Sequence, residues 1–381
     1  MKFISPVLKR IVYPCLSSVG YLSAKSRPGL AVITYHGVLP SGYRPIDSTF
    51  DGSLITADAF RAQLRLLKKH YTVISPDEMR RWCREGGELP PRAVLLTCDD
   101  GLLNNLTEML PILVEEGLRC LFFVTGASFG KQRTMLWYEN LLLLFLRARA
   151  GHFSIAAGDL TISGSLDTGA QRRRVWWATV VRLSATTAQN RQDFLDAACS
   201  YFGLEDSISF YKSYPEAERH FCLLTEDETK KLHASSMTIG AHTVTHPILS
   251  EQPPELAWSE MAESKSRLET VLGESVWALA YPFGFSDSVN PSIVAMAKRV
   301  GFDAAFTNIG GGLGAPLPVY EIPRVHVSAR MSLAEFESHV SGFYEGLRRA
   351  VGVSLERRPG ENGVRREAAV EPSRLSFHAQ D

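Results

Sequence analysis

The sequence is most informative first in what it leaves out. Lysine plus arginine and aspartate plus glutamate number 41 each, so the net charge is zero and nothing global points to a nucleic-acid partner. No apolar run approaches the roughly 20 residues needed to cross a bilayer. The longest, Leu141 to Leu146, is stopped by Glu139 on one side and Arg147 on the other. The six cysteines (15, 83, 98, 120, 199 and 222) contain no Cys-x-x-Cys pair, which fits free thiols in a reducing compartment. A cleavable signal fits poorly, because Ile11 to Ala24 holds Pro14 and three serines, with Leu22 at the −3 position. Acidic residues are missing altogether before Asp47, whereas Lys2, Lys9, Arg10, Lys25, Arg27 and Arg44 precede it. Residues 1–29 are thus a basic segment interleaved with Phe3, Ile4, Val7, Leu8, Ile11 and Val12. Such a segment either packs on the main domain as a helix or touches an anionic membrane surface. The expected address is cytoplasmic, with peripheral membrane contact as the alternative to simple packing.

What is present is a globular composition, 45% apolar and 22% charged over 381 residues. Between residues 30 and 130 the pattern alternates. Leu30–Tyr35, Thr72–Ile74, Val94–Thr97 and Cys120–Val124 read as strands, and Ala57–His70 and Asn105–Glu116 as helices. The alternation resumes over 235–345, with strands near Thr238–Gly240, Trp277–Ala280, Ala304–Thr307 and Glu321–Val325. Strand–helix repetition of this kind gives an α/β fold with a parallel sheet or barrel. Residues 131–234 break the rhythm and read as a helical insertion, which at about 100 residues must carry its own structure. Residues 355–381 turn to Arg, Glu, Gly and Pro and are expected to be disordered. No internal repeat is evident.

Functional side chains of parallel α/β domains gather beyond the C-terminal ends of the strands. Several unusual groups fall there: Tyr35-His36-Gly37, Asp99-Asp100-Gly101, His242 with His246, Tyr281-Pro282-Phe283-Gly284, and Arg324 with His326. A four-residue spacing turns His242 and His246 toward one point on a helical or turn-like backbone. Two imidazoles and one carboxylate are a ligand set for a divalent metal that keeps open positions, and the second carboxylate is then free to act as a base. That is the outline of a metal hydrolase.

Thr97-Cys98-Asp99-Asp100-Gly101 resembles the TFDDG motif, and His242-Thr243-Val244-Thr245-His246 the HTxxH motif, of polysaccharide deacetylases with a NodB homology domain (carbohydrate esterase family four). The resemblance covers roughly residues 30–130 and 236–330. It implies a distorted (β/α) barrel of the NodB type. It also implies Asp99 as general base and Asp100, His242 and His246 as ligands of a divalent metal. Zinc is expected first, with cobalt, nickel and manganese as alternatives. Cys98 stands where the family has Phe, and strand alternation sends it away from Asp99, as a packing residue. Ile33-Thr34-Tyr35-His36 stands at the start of the domain, an order that resembles poly-N-acetylglucosamine deacetylases with permuted motifs, and it makes His36 the expected general acid. His326 is the rival, on the same strand face as Arg324.

Tyr281-Pro282-Phe283 resembles the motif usually written Arg-Pro-Pro-Tyr, so the resemblance groups Tyr281, Pro282 and Phe283 at the substrate and oxyanion, with the N–H at Phe283 as an oxyanion donor. The family's Arg is missing there, and Arg324 is the candidate to steady Asp99 in its place. The expected substrate is an N-acetylated sugar of a polysaccharide or lipid-linked glycan. Peptidoglycan or chitin oligomers, or a silent glycan-binding role, are the alternatives. The insertion is expected to shape or cover the cleft. Within it, Trp137 and Tyr138 read as packing, and Arg172-Arg173-Arg174 beside Trp176-Trp177 as a solvated face over buried indoles.

Overall fold

A computed structural model describes residues 4–24, 29–40, 42–43, 53–126, 133–205, 207, 215–310 and 318–350. Twelve strands occur in chain order: β1 (Leu30–Tyr35), β2 (Gly37–Leu39), β3 (Leu54–Thr56), β4 (Thr72–Ile74), β5 (Ala93–Cys98), β6 (Leu121–Val124), β7 (His152–Ala157), β8 (Leu160–Ser165), β9 (Thr238–Ala241), β10 (Ala278–Ala280), β11 (Ala304–Phe306) and β12 (Val325–His326). Eight form one parallel sheet in the order β11-β10-β9-β6-β5-β1-β12, with β4 pairing the first half of β5. The strands are buried on both faces, which is why they read as continuous apolar runs.

Alternation along the strands sorts side chains into two cores. Leu30, Val32, Ala93, Leu95, Leu121, Phe123, Ala280 and Phe306 pack together on the inner face. Ala31, Ile33, Tyr35, Val94, Leu96, Cys98, Phe122 and Val124 face outward into helices. The helix Ala57–His70 brings Phe60, Leu64 and Leu67 to that outer face, a spacing of three and four residues. Its start is fixed by Thr56, whose hydroxyl accepts the Ala59 N–H at 3.2 Å. The next helix, Pro76–Glu85, begins with a reciprocal capping box between Ser75 and Glu78.

The sheet curls back on itself through one short segment. Ile322 exchanges backbone bonds with β11, donating to Ala305 at 2.9 Å and accepting from Thr307 at 2.9 Å. Three residues later Val325 pairs with Ile33 of β1, and His326 with Thr34. Arg324 lies between these two anchors, so the closure carries it to the inner face. The distorted barrel expected from the sequence is present.

The insertion, expected to be mostly helical, also carries two strands. Trp137–Arg147, Gly169–Ser184 and Ala188–Phe202 are helices, but β7 and β8 form an antiparallel hairpin between them. Ala157 pairs with Leu160, so Gly158-Asp159 is a two-residue turn, with Gly158 at φ 55°. Phe153, Ile155 and Ile162 join Leu141, Leu144, Phe145, Leu183 and Phe194 in a separate core. Helical periodicity in the flanks hides this short period-two stretch.

The N-terminal helical turns pack on the last helices: Lys9 pairs with Glu335 at 2.6 Å, and Tyr13 meets Phe343 edge-on. Val7, Ile11 and Val19 stay exposed. Among the described residues no helix is long and apolar enough to cross a membrane. The tail 355–381 lies outside the described residues.

Candidate active site

Asp99 and Asp100 leave β5 in opposite directions because the backbone changes hand between them and the helix that follows. Asp100 and Gly101 are both left-handed, at φ 74° and 76°. A Cβ on Gly101 would stand 2.9 Å from Val124 Cγ1, so only glycine fits the second position. This sharp turn presents the Asp100 carboxylate to the two histidines that follow β9.

His242 donates from Nδ1 to the Ala280 carbonyl at 2.8 Å. A carbonyl only accepts, so the proton is on Nδ1 and the Nε2 lone pair faces Asp100 Oδ1, 3.6 Å away. His246 Nε2 lies 3.5 Å from the same oxygen. All three side chains are buried, and one donor atom from each lies within 4.8 Å of the others. Donors roughly 2.0–2.1 Å from a shared tetrahedral centre stand roughly 3.3–3.4 Å apart. The observed spacings fit that arrangement, and the donor set suits a borderline divalent cation. The His246 Nδ1 is buried without a partner.

The electrostatics agree. Burial alone would push the Asp100 carboxyl up, but His242 and the neighbouring histidines hold it far below the ordinary range. Burial opposes charge on His242 too, yet Asp100 and Asp99 outweigh it and raise this imidazole. His246 is lowered to about 3, first by burial and then by His242. The cluster therefore favours a positive charge at its centre, which a divalent cation supplies in place of a proton.

Asp99 has a different partner. Arg324 grips both of its oxygens, Nη1 to Oδ1 and Nη2 to Oδ2, each at 2.7 Å. Arg324 Nε donates to the Thr307 carbonyl at 3.1 Å, Nη1 also reaches Thr97 Oγ1 at 3.4 Å, and the guanidinium lies 5.4 Å from the Phe123 ring centre. Arg324 and Asp99 are each 1% exposed. Burial would raise the Asp99 carboxyl, but the Arg324 charge wins and holds it below the usual carboxylate range. A doubly bonded carboxylate keeps further lone pairs, so Asp99 remains a competent proton acceptor.

His36 and His326 sit together, ring centres 5.0 Å apart, on the neighbouring strand ends. Burial, and then His36, lowers His326 to about 3. His36 Nδ1 is buried without a protein partner. Phe283 is left-handed at φ 61°, its ring lies 5.0 Å from that of His246, and its N–H meets no acceptor among the described residues. Pro282 precedes it as part of the same turn. Tyr281 corrects the expectation that it faces substrate. Ala280 points inward, so Tyr281 points outward into the helix-covered core, where its hydroxyl donates to the Tyr320 carbonyl at 3.0 Å. Cys98 is fully buried in the same outer core.

Sequence reasoning missed what the insertion and the helix Pro254–Leu272 contribute. Tyr138 sets its ring 5.2 Å from His246, and burial and then the Asp100 charge push its phenol well above the ordinary range. Trp137 donates its indole N–H to the His246 carbonyl at 3.4 Å. Both residues do more than pack. Glu260 accepts the N–H groups of Val244 and Thr245, each at 2.8 Å.

A family model, polysaccharide deacetylase, matches residues 202–305, the part that holds His242, His246 and Phe283. Over that region the chain is similar to polysaccharide deacetylases. A curated relative, the putative polysaccharide deacetylase YxkH of Bacillus subtilis (strain 168), is 27% identical over 117 residues. That match covers 31% of this chain and 41% of the relative, so the chain spans less than half of its length. Among solved structures, the Streptococcus pyogenes deacetylase PplD in complex with acetate superposes with a TM-score of 0.52 at 17% identity, covering 83% of this chain and 99% of that one. IcaB from Ammonifex degensii gives 0.50 at 19% identity, covering 83% and 98%. At these identities the deacetylases share the fold, while Asp99 and Asp100 lie upstream of the matched family region.

Proposed function

We propose that this chain is a metal-dependent hydrolase that removes N-acetyl groups from an N-acetylated sugar of a polysaccharide or lipid-linked glycan. The observation that carries the reading is the buried Asp100–His242–His246 triangle beside an Asp99 carboxylate that Arg324 holds separately. Asp100, His242 and His246 would hold the cation, zinc first, with cobalt, nickel or manganese as alternatives. When bound, such a cation acidifies a water and polarises the amide carbonyl.

The chain's own groups divide the remaining work. Asp99, anionic and oriented, takes a proton from the attacking water. The free N–H of Phe283 donates to the oxygen that gains charge as the carbonyl becomes tetrahedral. His36 gives a proton to the departing sugar amine, so water is consumed and acetate and a free amine result. His326 is the weaker candidate for that step. Burial keeps it neutral near pH 7, and a neutral imidazole has no acidic proton of useful strength to give. Tyr138 and Phe283 form an aromatic wall next to His246, suited to the face of a sugar ring.

The test is acetate release from N-acetylglucosamine oligomers by metal-loaded protein, against Asp99→Asn and against chelated protein. Release that is lost in both controls supports the reading. Activity confined to peptidoglycan or chitin fragments would move the substrate to those polymers, and no metal with no acetate would leave a glycan-binding role. The address we propose is cytoplasmic, with Val7, Ile11 and Val19 of the basic first segment resting on an anionic membrane. Co-sedimentation with anionic vesicles, lost in Val7→Ser/Ile11→Ser, tests that contact.

A further inference from the structure

His246 is an unusual ligand candidate. His242 has its ring fixed by the Ala280 carbonyl, whereas His246 Nδ1 is buried with no partner among the described residues. Its backbone is left-handed at φ 55°, a conformation that a histidine keeps only when its surroundings impose it. The surroundings that do so come largely from the insertion.

Arg191, on the helix Ala188–Phe202, is 2% exposed. Its Nη2 donates to Thr245 Oγ1 at 2.6 Å and its Nη1 to the Thr186 carbonyl at 2.7 Å. Thr245 has one hydroxyl proton, which goes to Glu260, so its lone pairs are left for Arg191. The guanidinium carbon lies 5.5 Å from the centre of the Trp137 ring, and Trp137 in turn binds the His246 carbonyl. Two residues on, Ile248 donates its N–H to the Ser184 carbonyl at 3.2 Å. The insertion thus holds the Thr245 hydroxyl and the backbone at 246 and 248, and Glu260 holds the backbone of 244 and 245 from the barrel side. A buried guanidinium is costly unless partnered, and one of the two acceptors of this one is on the ligand segment.

We infer that Arg191 is a positioning residue for the metal centre: through Thr245 and Trp137 it places His246, so the insertion sets metal affinity. The inference rests on reading Asp100, His242 and His246 as the metal site. Metal-free protein would be titrated with Co2+ by visible absorbance, and Zn2+ affinity measured by competition with a chromogenic chelator. Arg191→Ala and Thr245→Val are each expected to weaken binding about 10–100-fold, the usual effect of losing a partner behind a ligand. Thr245→Ser, which keeps the hydroxyl, is expected to restore the parent value. The Arg191→Ala/Thr245→Val double variant should lose little more than either single one, because both cut the same link.

Unchanged cobalt affinity and spectrum in Arg191→Ala would overturn the inference. Equal losses in Thr245→Ser and Thr245→Val would overturn it as well, since they would implicate packing and not the hydroxyl. If Arg191→Ala does not fold, the Thr245 pair decides. A parent protein that binds no cobalt would refute the metal reading itself, whereas a binding parent with unmoved variants would refute only the role of Arg191.

Discussion

Replacing Arg324 by alanine tests the arrangement of the base most directly. Asp99 is 1% exposed, and both its oxygens are bonded to this one guanidinium at 2.7 Å. Removing the guanidinium leaves a buried carboxylate without its counter-charge, and also strips a donor from the Thr307 carbonyl. Losing one partner of a buried pair costs about 3–5 kcal/mol. In a domain of this size that lowers Tm by on the order of 10 °C. The pH dependence should change sign. In the parent, Asp99 titrates below its unfolded value of about 3.9, so its stabilisation is complete above about pH 5 and lost on acidification. In Arg324→Ala the largest charge that holds the carboxyl down is gone, so burial raises it against the weaker pull of His242 and His36. The variant is then weakest at neutral pH and regains stability relative to the parent as pH falls. Misplacing the base should lower kcat by about 100-fold or more, with the acid limb of the pH–rate profile moved upward. Arg324→Lys should fall between, because a single ammonium restores charge but not the two-pronged grip. Thermal melts across pH 4–8 and acetate-release profiles measure all of this. An Arg324→Ala protein melting within about 2 °C of the parent, with an unmoved acid limb, would refute the reasoning.

Other outcomes follow from the same geometry. Gly101→Ala should destabilise by about 1–3 kcal/mol in denaturant unfolding, because φ 76° and a Cβ 2.9 Å from Val124 both oppose the new methyl. His36→Asn should lower kcat about 100- to 10,000-fold with little change in metal affinity, whereas His326→Asn should cost less; the reverse order would make His326 the acid. Saturating the metal at about 100 times its Kd should stabilise the fold by about 2.7 kcal/mol, an increment absent in His242→Ala and Asp100→Asn. That increment should shrink on acidification, since ligands must lose protons to bind, and calorimetry with and without chelator checks it.

The sequence carried the strands and the chemistry-bearing motifs because both are local. Apolar runs such as Leu30–Tyr35 can only be buried strands, and Asp99-Asp100-Gly101 at a strand end announces a turn with carboxylates. Tyr281 obeys strand parity against its motif: with Ala280 inside, Tyr281 lies outside. The hairpin at Gly158-Asp159 was also legible as a two-residue turn, but the helices around it dominate any longer window. Tyr138, Arg191 and Glu260 are another matter. They lie 38, 54 and 16 residues from Asp100, Thr245 and Val244, and the contacts leave no periodicity and no motif. The docking of the insertion creates the first two, and the packing of the helix Pro254–Leu272 creates the third.

Two adjacent aspartates can take different jobs only if their surroundings separate them, and here charge and backbone do so together. Asp99 lies on the inner face, where the strand closure at 322–326 delivers one guanidinium that matches it charge for charge. Asp100 lies past a left-handed turn, where its neighbours are imidazoles, one of them lowered to about 3 by burial. That carboxylate has no permanent counter-ion, so the charge it needs must come from a proton or a cation. Of the six non-glycine residues with left-handed backbone among those described, Asp100, Thr243, His246 and Phe283 all border this spot. Each such residue costs of order 1–3 kcal/mol, and concentrating four of them here is worth that only if the site recovers it in what it holds. The strain and the unbalanced carboxylate point to the same centre. Were Asp100 to exchange places with Asp99, the arginine would neutralise the ligand and leave the base uncompensated.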